Sequence, residues 1–180
     1  MVLNPSVYRK IEKQVSDLLK DEGIQSLPIP VEKIARTKGV EVMPYDLGNE
    51  VSGVLVITDK KGTIGFNPTQ SKVRQRFTIA HELGHYLLHS ESNKELFVDK
   101  DFIVKFRSKK NYSPTEQRHE SEANAFAAAL LMPKTFVLAE IAKQKFQSLS
   151  ESELIEELAK VFDVSVPAMT YRLSDLSIGR

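Results

Sequence analysis

The chain has 180 residues, with 25 basic and 24 acidic side chains and no cysteine. Its length suits one domain with a sizeable core, and its balanced charge indicates neither a nucleic acid nor an acidic partner. The lack of cysteine excludes disulfide scaffolds, Cys-ligated zinc and thiol nucleophiles. No run of eighteen apolar residues occurs, and the first residues lack a secretory signal pattern. We therefore expect a cytoplasmic protein without a membrane partner.

The first 70 residues combine helical and strand patterns. Apolar positions at helical spacing predict a helix over residues 5–21, with Asn4 as its N-cap, and a shorter helix over 31–38. Strands are predicted over 40–45, 51–58 and 63–67, with a hairpin turn signal at 59–62. The predicted class is α+β, mostly helical, with a small three-stranded antiparallel sheet.

The strand over 51–58 is the one that we expect at the edge of this sheet. An exposed edge strand can hold an extended peptide through main-chain hydrogen bonds, which would lay the peptide across a neighbouring site. The alternative interpretation is that the sheet only covers the core. The pattern of apolar residues does not separate these two interpretations.

The motif that carries chemistry is HELGH at positions 81–85, inside a helix predicted from a cap at Ser71 to about His89. Residues four apart on a helix lie about 40° apart around the axis, so His81 and His85 can hold one ion. The Glu82 carboxylate can reach a water on that ion, and this combination indicates a zinc peptidase. The alternative is a buried helix with two satisfied histidines, which a third ligand would exclude.

Two further features of this helix limit the ligand set and the class of zinc peptidase. His89 lies roughly 12 Å along the axis from His81, too far to share one ion, so we interpret it as a polar helix end whose charge suits a C-terminus. The metzincin pattern needs glycine seven and histidine ten residues after the first ligand. Leu88 and Glu91 occupy those positions, so the sequence excludes that class.

A second helix is predicted to supply the third ligand. Ser113 and Glu116 form a capping box, Pro133 ends the helix, and alanines that allow close helix packing lie between them. Glu120 and Glu122 are the candidates for a His-His-Glu site. They lie about 200° apart around the axis, and Glu120 shares its face with small residues and with Asn124, which can hydrogen-bond a ligand imidazole. We favour Glu120 and interpret His119 as a surface residue.

The rest of the chain carries weaker signals. Basic and apolar residues interleave over 90–113, which favours a solvated flap over a surface that contacts nucleic acid or another partner. Helices are predicted over 134–145, from a capping box at Ser150 and Glu153, and over 168–176. The last two resemble a helix-turn-helix, but only Thr170, Tyr171 and Arg172 of the second helix have polar side chains that could contact DNA. We predict a core of 1–146 and a C-terminal helical appendage of 147–180 that packs on it, and we expect no direct DNA binding.

Three segments together resemble the ImmA/IrrE family of metallopeptidases over roughly residues 5–140: VSGV at 51–54, QRFTIAHELGH at 75–85, and ESEANAFA at 120–127 followed by LLMP at 130–133. The resemblance implies a gluzincin core in the bacterial or phage cytoplasm. It also implies zinc ligands at His81, His85 and Glu120 and a catalytic glutamate at Glu82. Family members cleave a cognate helix-turn-helix repressor, which turns on phage, mobile-element or stress genes.

The resulting hypothesis is a zinc endopeptidase that acts on such a repressor. Glu82 would take a proton from the attacking water and deliver one to the leaving amine, while zinc polarises the carbonyl. Two alternatives stay open at this point. One is a module that binds the repressor without cutting it, and the other is a DNA-binding regulator with a structural zinc.

Overall fold

The computed structural model describes residues 3–48, 51–59, 61–90, 113–144 and 148–177. The predicted mostly helical α+β class is confirmed. The elements described are α1 (Pro5–Asp21), α2 (Val31–Thr37), β1 (Val40–Pro44), β2 (Gly53–Thr58), β3 (Lys61–Phe66), α3 (Lys72–His89), α4 (Pro114–Leu131), α5 (Lys134–Ile141), α6 (Glu151–Phe162) and α7 (Val166–Ser177). The segment predicted as a flap lies mostly outside the described residues.

Side-chain caps decide where three of the helices begin. Asn4 Oδ1 accepts a hydrogen bond from the Ser6 backbone N–H over 2.9 Å at the start of α1. Reciprocal capping boxes open α4 and α6, at Ser113 with Glu116 and at Ser150 with Glu153. Each box satisfies two backbone donors that the first helical turn leaves unpaired. The predicted capping boxes are therefore confirmed, whereas Ser71 precedes α3 without a side-chain capping bond.

The sheet has the strand order β1-β3-β2. β2 and β3 form the predicted hairpin and pair antiparallel, but β1 pairs parallel to β3. The prediction of an entirely antiparallel sheet is wrong for this second pair. The chain crosses from β1 to the far side of the sheet before it forms β2, so β3 enters between two strands of opposite direction. Among the described strands β2 lies at an edge, as predicted.

The core forms where α3 packs against α4. Ala123 and Ala127 of α4 are fully buried, and Phe126 lies against Gly84 of α3. A Cβ atom at position 84 would lie 3.0 Å from the Phe126 ring, so a larger residue there would require Phe126 to move by a few tenths of an ångström. The small residues thus bring the histidines of α3 near the glutamates of α4, as the alanine pattern predicted.

The C-terminal helices are held to the first helix by Arg172 of α7. Its side chain is fully buried and donates to the Met132 carbonyl over 2.9 Å and to the Tyr8 hydroxyl over 2.7 Å. Its guanidinium also forms a two-pronged ion pair with Glu12 of α1. Arg172 therefore points into the protein and cannot contact DNA. The division of the chain at residues 146 and 147 stays a prediction.

Replacing Arg172 with methionine should destabilise the protein by about 3 kcal/mol, because the Glu12 carboxylate would lose its partner in a largely buried position. Urea denaturation of the purified variant would measure the loss, and adding Glu12→Gln to Arg172→Met should restore part of it. Lys13→Met is the matched control, since Lys13 pairs with Asp17 while its side chain is 78% exposed. A loss for Arg172→Met no larger than for the control would contradict the prediction.

Among the described residues, no single helix is long and apolar enough to cross a bilayer. In the same part of the chain, α4 and α5 taken together, with a bend of 42° between them, have the length and composition of a span.

Candidate metal centre

Two imidazoles from adjacent turns of α3 face the same point. The Nε2 atoms of His81 and His85 lie 3.0 Å apart, and their ring planes are inclined at 72°. His81 is 3% exposed, because α4 covers this side of α3, whereas 20% of the His85 side chain reaches solvent. The helical spacing therefore places both nitrogens together as predicted.

Glu120 of α4 completes the cluster. Its Oε1 atom lies 2.8 Å from His85 Nε2 and 3.5 Å from His81 Nε2. Ligands about 2.05 Å from a tetrahedral zinc ion are separated from one another by about 3.3 Å. The three measured separations agree with that value to within about half an ångström. Two neutral imidazoles and one carboxylate are also a donor set that divalent metals take, so these residues fit a metal site.

Asn124 lies one turn beyond Glu120 on α4 and reaches His81. Its Oδ1 atom is 2.9 Å from His81 Nδ1. An amide oxygen can only accept, so Nδ1 carries the proton and the Nε2 lone pair points at the cluster. The sequence expectation that Asn124 approaches a ligand imidazole matches this contact.

Glu82 lies next to His81 in α3 and is 4% exposed. It lies below the first residue of β2, since a Cβ atom at Gly53 would be 3.7 Å from Glu82 Cγ and 2.2 Å from Thr78 Cγ2. The edge strand therefore passes directly over the turn of α3 that carries Glu82. Only a glycine at position 53 allows this approach.

Replacing Gly53 with alanine should destabilise the protein by about 2 kcal/mol, because the added methyl overlaps Thr78 Cγ2 and the strand must move away from α3. Thr78→Ser removes the Thr78 Cγ2 methyl, so the double variant Gly53→Ala/Thr78→Ser should lose less stability than the sum of the losses in the two single variants. Thermal unfolding would measure these losses. Strict additivity would contradict the contact.

Glu122 does not join the cluster. Its carboxylate accepts a hydrogen bond from Arg118 Nε over 2.9 Å and lies 3.6 Å from His89 Nε2. The preference for Glu120 over Glu122 therefore agrees with the geometry.

The interpretation of His89 as a charged helix end is wrong. His89 is 5% exposed and stacks on the His119 ring, with centroids 4.0 Å apart. Burial, together with the imidazoles of His119 and His85, lowers the pKa of His89 to about 4, so it is neutral near pH 7. His119 stacks on His89 and is partly exposed, so it lies outside the metal cluster at the edge of the protein surface. Both outcomes depend on α4 covering the end of α3, which no single-helix pattern reveals.

Residues 35–174 match the family model Peptidase_M78, described as the IrrE N-terminal-like domain. The chain belongs to this family. The match begins in α2 and ends in α7, so the family relationship extends over the metal cluster and both C-terminal helices.

Two curated relatives support the family assignment. The metallopeptidase ImmA of Bacillus subtilis is 25% identical over 166 residues, which cover 92% of this chain and 85% of the relative. The radiation response metalloprotease IrrE of Deinococcus radiodurans is 34% identical over 102 residues, which cover 57% of this chain and 27% of the relative. Both names describe metal-dependent peptidases, which agrees with a metal site at His81, His85 and Glu120.

A solved structure supports the fold. A Mycobacterium tuberculosis transcriptional regulator matches with a TM-score of 0.61 and 18% identity, over 92% of this chain and 46% of that chain. At this level of identity the likeness shows the shared fold alone.

Proposed function

We propose that this protein is a zinc-dependent endopeptidase. The observation that carries the proposal is the convergence of His81, His85 and Glu120, from two helices, beside the buried Glu82. Two imidazoles and one carboxylate are the ligands of thermolysin-like catalytic zinc, which leave one position open. A zinc ion held there would supply a Lewis acid that polarises a peptide carbonyl and makes water more acidic.

The chain's own side chains have distinct tasks in this proposal. Glu82 accepts a proton from the water that attacks the peptide carbonyl and then delivers a proton to the departing amine. Asn124 accepts a hydrogen bond from the Nδ1–H of His81, which would leave the Nε2 lone pair free to bind the metal. His85 and Glu120 complete the ligand set from opposite helices. The burial of Glu82 keeps the proton acceptor away from bulk water.

The edge strand β2 is proposed to hold the substrate. It begins over Glu82, at Gly53, and among the residues that the structure describes it pairs with β3 on one side and with no strand on the other. A peptide that adds to the other side would align its backbone by main-chain hydrogen bonds, while pockets beside alternate residues would select side chains.

The finer proposal is that the substrate is a helix-turn-helix repressor in the cytoplasm, as the family resemblance implies. The experiment incubates the zinc-loaded protein with the repressor encoded beside it, with and without a metal chelator. New repressor fragments that the chelator prevents would support the proposal. A stable complex with an intact repressor would instead indicate a module that binds without cutting.

A further inference from the structure

The guanidinium of Arg74, in the first turn of α3, is hydrogen-bonded to a neutral side chain and not to a carboxylate within the described residues. Its Nη2 and Nε atoms donate to Ser52 Oγ over 3.0 and 3.3 Å, and Gln70 Nε2 donates to the same oxygen over 3.1 Å. Within the described part of the chain Arg74 forms no ion pair with a carboxylate. Four other arginines in that part each pair with one, namely Arg36, Arg76, Arg118 and Arg172. The Arg74 charge is therefore oriented by neutral groups and stays available for an outside anion.

Arg74 lies on the face of α3 that carries the metal cluster. It lies seven positions before His81, which is about two helical turns, or about 10.5 Å along the axis. Phe77 fills the interval, with its ring 5.9 Å from Arg74 Cζ and 6.2 Å from the His81 ring. Arg74 and Phe77 are both at least partly open to solvent. His81, Phe77 and Arg74 thus lie in a row along one face of α3, starting at the metal cluster.

The edge strand β2 begins beside Arg74 and Phe77. Ser52, which anchors the guanidinium, immediately precedes β2, and Gly53 packs over Thr78 and Glu82. A peptide aligned on β2 would therefore pass Arg74 after it leaves the metal cluster. An extended chain covers about 3.3 Å per residue, so the distance of about 10.5 Å corresponds to about three residues.

We propose that Arg74 binds an acidic side chain of the substrate about three residues from the scissile bond, so that this endopeptidase selects acidic segments. The inference rests on the proposed peptidase function and names the substrate chemistry of the same site. An Arg–carboxylate contact at the exposed Arg74 side chain should favour Asp or Glu at that substrate position by about fivefold over neutral residues.

The test uses the zinc-loaded full chain and a library of chymotryptic peptides from a bacterial lysate, with new peptide termini identified by mass spectrometry. The unmodified protein should enrich Asp and Glu at one position two to four residues from the cut. Arg74→Gln should remove this enrichment, and Arg74→Glu should replace it with Lys and Arg at the same position. Arg9→Glu is the matched control, because Arg9 is an exposed arginine on α1 whose side chain, among the described residues, donates to the Pro5 backbone carbonyl and pairs with no carboxylate.

The outcomes separate the two proposals. Unchanged acidic frequencies around the cuts made by Arg74→Gln and Arg74→Glu would overturn the role of Arg74 while leaving the peptidase intact. The same loss of enrichment in Arg9→Glu would also overturn it, since a general charge effect would then explain the result. If the unmodified protein yields only the termini that Glu82→Gln also yields, the peptidase proposal itself falls, and this inference falls with it.

Discussion

Replacing Glu82 with glutamine is expected to lower the rate of substrate cleavage by about 10³-fold while leaving zinc bound. Glutamine has the same shape but cannot accept a proton from the attacking water, and general base catalysis contributes about 10²–10⁴-fold. Glu82 is not one of the three clustered ligand groups, so the metal affinity should change little. The measurements are the single-turnover rate on the repressor encoded beside the protein and the zinc content of each purified variant.

A second variant makes this result specific to the proton acceptor. Glu82→Asp keeps the carboxylate but shortens its reach, so it should retain more activity than Glu82→Gln. Because Glu82 is buried, both variants need equal melting temperatures before their rates are compared. A Glu82→Gln variant that cleaves within twofold of the unmodified protein would show that another group accepts the proton.

Replacing Glu120 with glutamine is expected to weaken zinc binding by about 100-fold or more. The substitution removes the anionic ligand that lies 2.8 Å from His85 Nε2 and 3.5 Å from His81 Nε2, so only the imidazoles and a neutral amide remain. Competition against a chromophoric chelator would measure the dissociation constants. Activity should fall in parallel at limiting zinc and recover in part when zinc is in excess.

Glu122→Gln is the matched control, since it makes the same chemical change two residues along α4. Glu122 is bound by Arg118 and lies beside His89, outside the cluster. Its loss should therefore change zinc affinity by less than about threefold, while removing the ion pair with Arg118. If zinc were instead lost in Glu122→Gln and kept in Glu120→Gln, the third ligand would be Glu122 and the assignment to Glu120 would be wrong.

Most of the candidate site was predictable because it depends on local geometry. The histidine spacing in HELGH places two imidazoles on one helical face, and the rotation of 100° per residue separates Glu120 from Glu122. The capping boxes at Ser113 and Ser150 are likewise local patterns, and the structure contains both. Phe77 and Arg74 were missed, although their spacing before His81 places them on the same face of α3.

The features that could not be predicted depend on contacts between distant segments. Apolar alternation predicts a strand without indicating its neighbours, so the parallel pairing of β1 with β3 was missed. The burial of His89 depends on the first turns of α4, and the inward position of Arg172 depends on Glu12, which lies far away in the chain.

The amino-acid sequence by itself indicated the helices, the caps at Asn4, Ser113 and Ser150, and the four candidate groups of the proposed chemistry, because these follow from residue spacing within single helices. Only the tertiary structure decided the strand order, the neutral state of His89 and the burial of Arg172 against Glu12. Those properties arise when elements from different parts of the chain exclude water from the same side chains. A periodicity within one element contains no information about which other element will cover it.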